Sequence, residues 1–158
     1  MKKYLLLFVF LFLVSPVQAL DEPMGWIEIP SISLYRPIYN IELVDRNYNL
    51  DDLGYGLGKV GYLNQNEWGH WIHDESGKVI LVGHTPGAFE NLTKVQIGDS
   101  IIVGDDNGVV EYVVSAIHIV EVTETDWLGT SDYKVLLLQT CYGTQRLLIE
   151  AIPNNQMP

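Results

Sequence analysis

The sequence is short of cysteine, of positive charge and of long apolar runs, and each shortage narrows the reading. One cysteine in 158 residues cannot form an internal disulfide. An odd thiol in an exported chain is either reactive or paired between molecules, or it is a small buried filler; its count alone does not decide between them. Nine Lys and Arg stand against 20 Asp and Glu, for a net charge of −11. A surface that acidic argues against nucleic acid, and against binding anionic lipid by charge. No apolar stretch reaches the roughly 20 residues that span a bilayer. No long amphipathic helix, internal repeat or low-complexity tract appears.

What is present begins with an export segment. Lys2 and Lys3 precede an unbroken apolar run, Tyr4 to Val14, and Val17-Gln18-Ala19 ends on a small residue. This pattern predicts a secretory signal peptide over residues 1–19, or a weak membrane anchor if it stays uncleaved. The remaining 20–158 reads as one domain, with 7 basic and 20 acidic residues and a net charge of −13. Its size lets it bury roughly two-thirds of its unfolded surface, so it needs no staple.

Strand signals dominate that domain. Gly25-Trp-Ile-Glu-Ile-Pro30 alternates and stops at proline, which suits an edge strand. Leu34 to Ile41 reads as a second strand broken by Pro37. Leu50 to Tyr62, with Gly54, Gly56, Gly58 and Gly61, reads as turns with one helical turn near Leu50–Leu53. Asn64 to Lys78, with Trp68 and Trp71, reads as a long surface loop or hairpin. Val79–Val82 is a short apolar strand ended by Gly83-His-Thr-Pro-Gly87, and Ala88–Lys94 is expected to form one short helix. Ser100–Val103, an Asp105–Gly108 turn, a long or bent strand over Val109–Val122 and a loop over Asp126–Asp132 follow. The spacing of strands and turns predicts an all-β fold, a closed and mostly antiparallel barrel of about seven or eight strands.

The chemistry gathers in Lys134–Ala151. The apolar runs Val135–Leu138 and Leu147–Ile149 flank a tight loop, Tyr142–Gln145, with Gly143 free to take a positive φ. That loop length sets Cys141 directly opposite Arg146, and directly opposed residues share a face with Cβ atoms roughly 5 Å apart. Arg146 then lies on the face of Leu148, while Leu147 and Ile149 turn to the core. Of four histidines, His84 is the preferred partner for Cys141, because it follows a buried strand in a Gly/Pro loop. His118 sits among apolar neighbours within a strand. His70 and His73 form an H-x-x-H-D cluster without the third and fourth ligands that zinc needs. A hairpin turn accounts for the Asp105–Gly108 run without calcium.

In this order the pieces resemble the sortases, cysteine transpeptidases of bacterial surfaces. Gly25-Trp-Ile-Glu-Ile-Pro30 is similar to the family's first strand, and Val79-Ile-Leu-Val-Gly-His84, with Phe89, Leu92, Gly98-Asp99 and Ile101, to its histidine segment. Leu136-Leu-Leu-Gln-Thr-Cys141 resembles the T-L-x-T-C signature, with Arg146 on the next strand. The resemblance implies Cys141 as nucleophile, His84 as the catalytic histidine and Arg146 as support for substrate and oxyanion. It implies Thr140 as a contact of substrate or oxyanion. It further implies a thiol-peptidase type of transpeptidase at the bacterial cell surface; no cofactor is expected, with dependence on calcium left open. The substrates implied are surface proteins with an LPXTG-like sorting signal, and the acceptor an amine of a cell-wall precursor or a pilin lysine. Two departures stand out: four residues separate Cys141 from Arg146, fewer than in many sortases, and the amino-terminal segment looks cleavable.

The chemistry agrees. An isolated Cys–His pair near pH 7 holds thiolate and imidazolium together in only about 1% of molecules, and neighbouring positive charge raises that share. Two other readings compete. An L,D-transpeptidase would carry Ser, His and Gly just before the cysteine and Arg two residues after it, whereas here Leu138-Gln-Thr140 precedes Cys141 and Gly143 stands two after. A secreted β-barrel binding module with a packed Cys141 would leave the Cys141–Arg146 pairing and His84 without a reason.

Overall fold

The computed structural model describes residues 22–41, 43–44, 47–48, 53, 58–63 and 70–156. The expected signal segment, Trp68 and, apart from Leu53, the expected helical turn near residues 50–53 lie outside them.

Eight strands close a barrel. They are β1 (Gly25–Ile29), β2 (Leu34–Ile41), β5 (Val60–Leu63), β6 (Lys78–Val82), β7 (Ser100–Asp105), β8 (Gly108–Glu121), β9 (Val135–Tyr142) and β10 (Gln145–Pro153). Their order around the barrel is β1-β2-β5-β6-β9-β10-β8-β7, and the short strands β3 (Leu43–Val44) and β4 (Asn47–Tyr48) form a separate pair. The β2–β5 and β6–β9 ladders are parallel and the others antiparallel. Helical structure among the described residues is confined to short 3-10 turns.

The strand runs without alternation are explained by two apolar layers. Val79, Leu81, Leu136, Leu138, Leu147 and Ile149 point into the barrel and join its main core. The intervening Ile80, Val82, Leu137 and Leu148 point outward, into a second buried layer with Ile41, Leu53 and Leu63, flanked by Val120, Trp127 and Leu128. Strands buried on both faces read as continuous apolar sequence.

Several local expectations change. β1 is no edge strand, since it pairs with β2 on one side and β7 on the other. Pro37 does not break β2. The Met24 amide donates to the Ile38 carbonyl at 2.8 Å, so the backbone groups of Pro37 point away from β1, and β5 pairs only from Ile38 onward. The missing N–H therefore costs no ladder bond. Val60 to Tyr62, read as turns, belong to the strand Val60–Leu63, whose four residues are all buried. Ala88–Lys94 is a succession of turns ending in a 3-10 turn at Leu92–Lys94, not one helix, although Ala88, Phe89 and Leu92 are buried. The segment before β6 is not wholly superficial either, because Ile72 is fully buried.

Candidate active site

The β9–β10 hairpin sets the first two groups. Tyr142 pairs with Gln145 and Cys141 with Arg146. The connection is a two-residue turn in which Gly143 has φ 60°, with positive φ at its first position only, the pattern of a II′ turn. Glycine takes that conformation without the cost of a Cβ. Cys141 is exposed. Arg146 is half-buried, its guanidinium carbon 5.7 Å from the centre of the Trp127 ring. Its Nε is buried and has no hydrogen-bond partner among the described residues.

The third group arrives by the parallel ladder. β6 and β9 pair from Lys78↔Val135 to Val82↔Gln139, and the Gly83 amide still donates to the Gln139 carbonyl at 3.1 Å. Carried two residues further, this register brings His84 level with Cys141. His84 is 8% exposed and lies in the turn after β6, where the Phe89 amide donates to its carbonyl at 3.2 Å. Cys141, Arg146 and the His84 turn thus share one end of the barrel.

Thr140 sits between them and is fully buried. Alternation places its side chain on the inner face with Leu136 and Leu138, opposite Cys141. Its Oγ1 lies 2.8 Å from the Gly83 carbonyl and 2.7 Å from Thr85 Oγ1.

The other histidines lie elsewhere. His70 contacts Asp74 at 3.4 Å, and His73 contacts Asp105 at 2.8 Å, at the opposite end of β6 from His84. Among the described residues no three His, Cys, Asp or Glu side chains converge on a metal position. His118, paired with Leu148, is on the outer face 3.8 Å from Glu150.

Sequence reading missed two neighbours of the site. Trp127 belongs to the 3-10 turn Asp126–Leu128 in the β8–β9 connection. That turn is pinned by Trp127 Nε1 donating to the Glu124 carbonyl (2.7 Å) and by Lys78 Nζ donating to the Trp127 carbonyl (2.9 Å). Burial lowers the Lys78 pKa against the opposing pull of Glu150. Thr85, bonded to Thr140, is the other. Nothing in the local sequence signals either contact, since the partners are 19 and 55 residues apart.

Comparison with known proteins identifies the family of the barrel. The sortase-domain family model matches residues 27–154. The structure of sortase C from Clostridium perfringens is 30% identical over 84% of this chain and 70% of that one, with a TM-score of 0.67. A structure of Clostridium perfringens sortase C with the C-terminal cell wall sorting motif is 31% identical over 85% of this chain and 71% of that one, with a TM-score of 0.67. Streptococcus agalactiae sortase C1 is 25% identical, covering 87% and 68%, with a TM-score of 0.69. A comparison with curated proteins returns no match. With the family model spanning most of the sequence and the barrel carrying the Cys141–Arg146 hairpin, the chain belongs to the sortase family.

Proposed function

We propose that this chain is an exported cysteine transpeptidase that cuts a sorting-signal peptide and passes its acyl part to an amine. The observation that carries the reading is the meeting of two ladders. The β9–β10 hairpin opposes Cys141 to Arg146, and the parallel β6–β9 register runs the His84 turn alongside them. The Cys141 thiolate attacks the carbonyl carbon of the scissile peptide bond, and Arg146 donates to the oxyanion of the tetrahedral intermediate. His84 gives its proton to the leaving amine as the C–N bond breaks, leaving a thioester on Cys141. An incoming amine attacks the thioester and His84 takes up its proton. The new amide leaves and the thiolate is regenerated.

The similarity to C. perfringens sortase C, whose structure is known with the C-terminal cell wall sorting motif, favours carboxy-terminal sorting peptides of LPXTG-like type as the substrate class. The acceptor is an amine of a cell-wall precursor or of a pilin-like protein, and residues 1–19 serve as the export signal of a 20–158 catalytic domain. Purified protein incubated with a library of such peptides is expected to accumulate a thioester on Cys141, detected by mass spectrometry and absent from Cys141→Ala. His84→Ala is expected to lose cleavage, while His70→Ala, His73→Ala and His118→Ala retain it. If His118→Ala is the dead variant, the assignment of the histidine is wrong.

A further inference from the structure

The distances around the hydroxyls behind the site favour one arrangement of protons. The Gly83 carbonyl can only accept, so Thr140 donates to it across 2.8 Å. A hydroxyl carries a single proton but can accept twice. With the shorter Thr140–Gly83 bond made, Thr85 donates and Thr140 accepts in the 2.7 Å contact between Thr85 Oγ1 and Thr140 Oγ1. Thr85 then has no proton left for the Phe89 carbonyl at 3.3 Å, the longer and weaker alternative. The result is a directed relay from Thr85 O–H through Thr140 O–H to the Gly83 carbonyl.

The ends of that relay matter. Gly83 and Thr85 are the two residues flanking His84, and Thr140 is the residue before Cys141. The β6–β9 ladder reaches as far as the Gly83 amide, and beyond it the relay adds a tie from the turn to β9. Gly83 lies close against the Phe89 ring, where a Cβ would stand 2.7 Å from it, so no larger residue fits at this end of the relay. We propose that Thr85 and Thr140 are positioning residues whose hydroxyl relay fixes the His84 turn against the cysteine strand. This rests on the transpeptidase reading for its effect on turnover, and it replaces direct substrate contact as the role of Thr140. A side chain that is fully buried on the inner face, with its proton committed to Gly83, is built for bracing.

The test uses Thr85→Val, which keeps the shape and removes the donor, and Thr85→Ser, which keeps the donor. Thr85→Val is expected to lower kcat by roughly 10- to 100-fold, the scale of a small misplacement of a reacting group. KM stays within about threefold, and Thr85→Ser recovers most of the loss because it restores the same hydrogen bond. Thr85→Ala takes the place of Thr85→Val if the valine variant fails to fold. Unchanged kcat in the hydroxyl-free variant overturns the proposal. So does a serine variant as impaired as valine, or a rise in KM alone, which would put the threonines against the substrate. A second readout is independent of turnover: the ¹H–¹⁵N imidazole signals of His84 are expected to shift or broaden in Thr85→Val and to stay parent-like in Thr85→Ser. Identical spectra in all three proteins overturn the relay. A parent protein that forms no thioester on Cys141 sinks the transpeptidase reading instead, and the imidazole signals still decide the relay.

Discussion

At the scale of single residues, Arg146 combines two features that pull against each other. It is half-buried over the Trp127 ring, which stabilises an exposed or partly exposed cation by about 0.5–1 kcal/mol. Yet its Nε is left without a protein partner among the described residues, and an unsatisfied buried donor ordinarily costs about 1–3 kcal/mol. The first feature holds the guanidinium on the outer face that Cys141 shares, and the second is a cost that the ring contact offsets only in part. Arg146→Ala is therefore expected to fold with a loss of about 1 kcal/mol and to lower turnover by roughly 10²–10³. Arg146→Lys should recover part of the turnover, since an ammonium keeps the charge without the planar fork. Thermal melts and single-turnover assays on the same preparations check this. A protein that melts far below the parent while its folded fraction turns over normally would make Arg146 structural.

At the scale of elements, the segment before β6 is tied to the β7–β8 turn by one carboxylate. Asp105 accepts from Trp71 Nε1 at 2.7 Å and from the Asn107 amide at 2.7 Å, and it contacts His73 Nε2 at 2.8 Å. Burial works against its ionisation, but the bonds from His73, Trp71 and Asn107 prevail and hold its pKa at about 2. An unfolded Asp titrates near 4. As the pH falls, the unfolded chain takes up this proton first, so the contribution is complete above about pH 4 and is lost on the way to about pH 2. Asp105→Asn should lower the unfolding midpoint at pH 5, and the gap to the parent should close as the pH falls from 4 to 2. Urea titrations followed by tryptophan fluorescence measure it. A gap of constant size down to pH 2 would remove Asp105 from the account.

At the scale of the molecule, the barrel is closed by the short β1–β7 ladder, Trp26↔Gly104 to Glu28↔Ile102. The approach there is close, because a Cβ on Gly25 would stand 2.5 Å from the Gly104 carbonyl oxygen. Backbone cannot yield as a flexible side chain can, so Gly25→Ala is expected to cost about 1–3 kcal/mol, the usual penalty of overpacking. Its midpoint in urea should fall with little change in slope. A Gly25→Ala protein as stable as the parent would mean that the seam does not close this tightly.

The sequence by itself determined whatever depended on neighbours along the chain. Loop length fixes hairpin register, so Tyr142–Gln145 was enough to oppose Cys141 to Arg146. Parity then sent Leu147 and Ile149 inward and set Arg146 on the face of Leu148. The Asp105–Gly108 turn and the long strand after it were legible for the same reason, as was the barrel, whose strands and turns recur at short spacing. Only the tertiary structure decided what crosses the chain. A parallel ladder has no connecting turn to set its register, and Val79–Val82 and Val135–Leu138, apolar on both faces, carry no alternation to say which residues meet. The level of His84 against Cys141, the placement of Trp127 under Arg146 and the Thr85–Thr140 contact all follow from that ladder and the packing around it. β1 looked like an edge strand and Val60 to Tyr62 like turns because their partners, β7, β2 and β6, become neighbours only when the barrel closes.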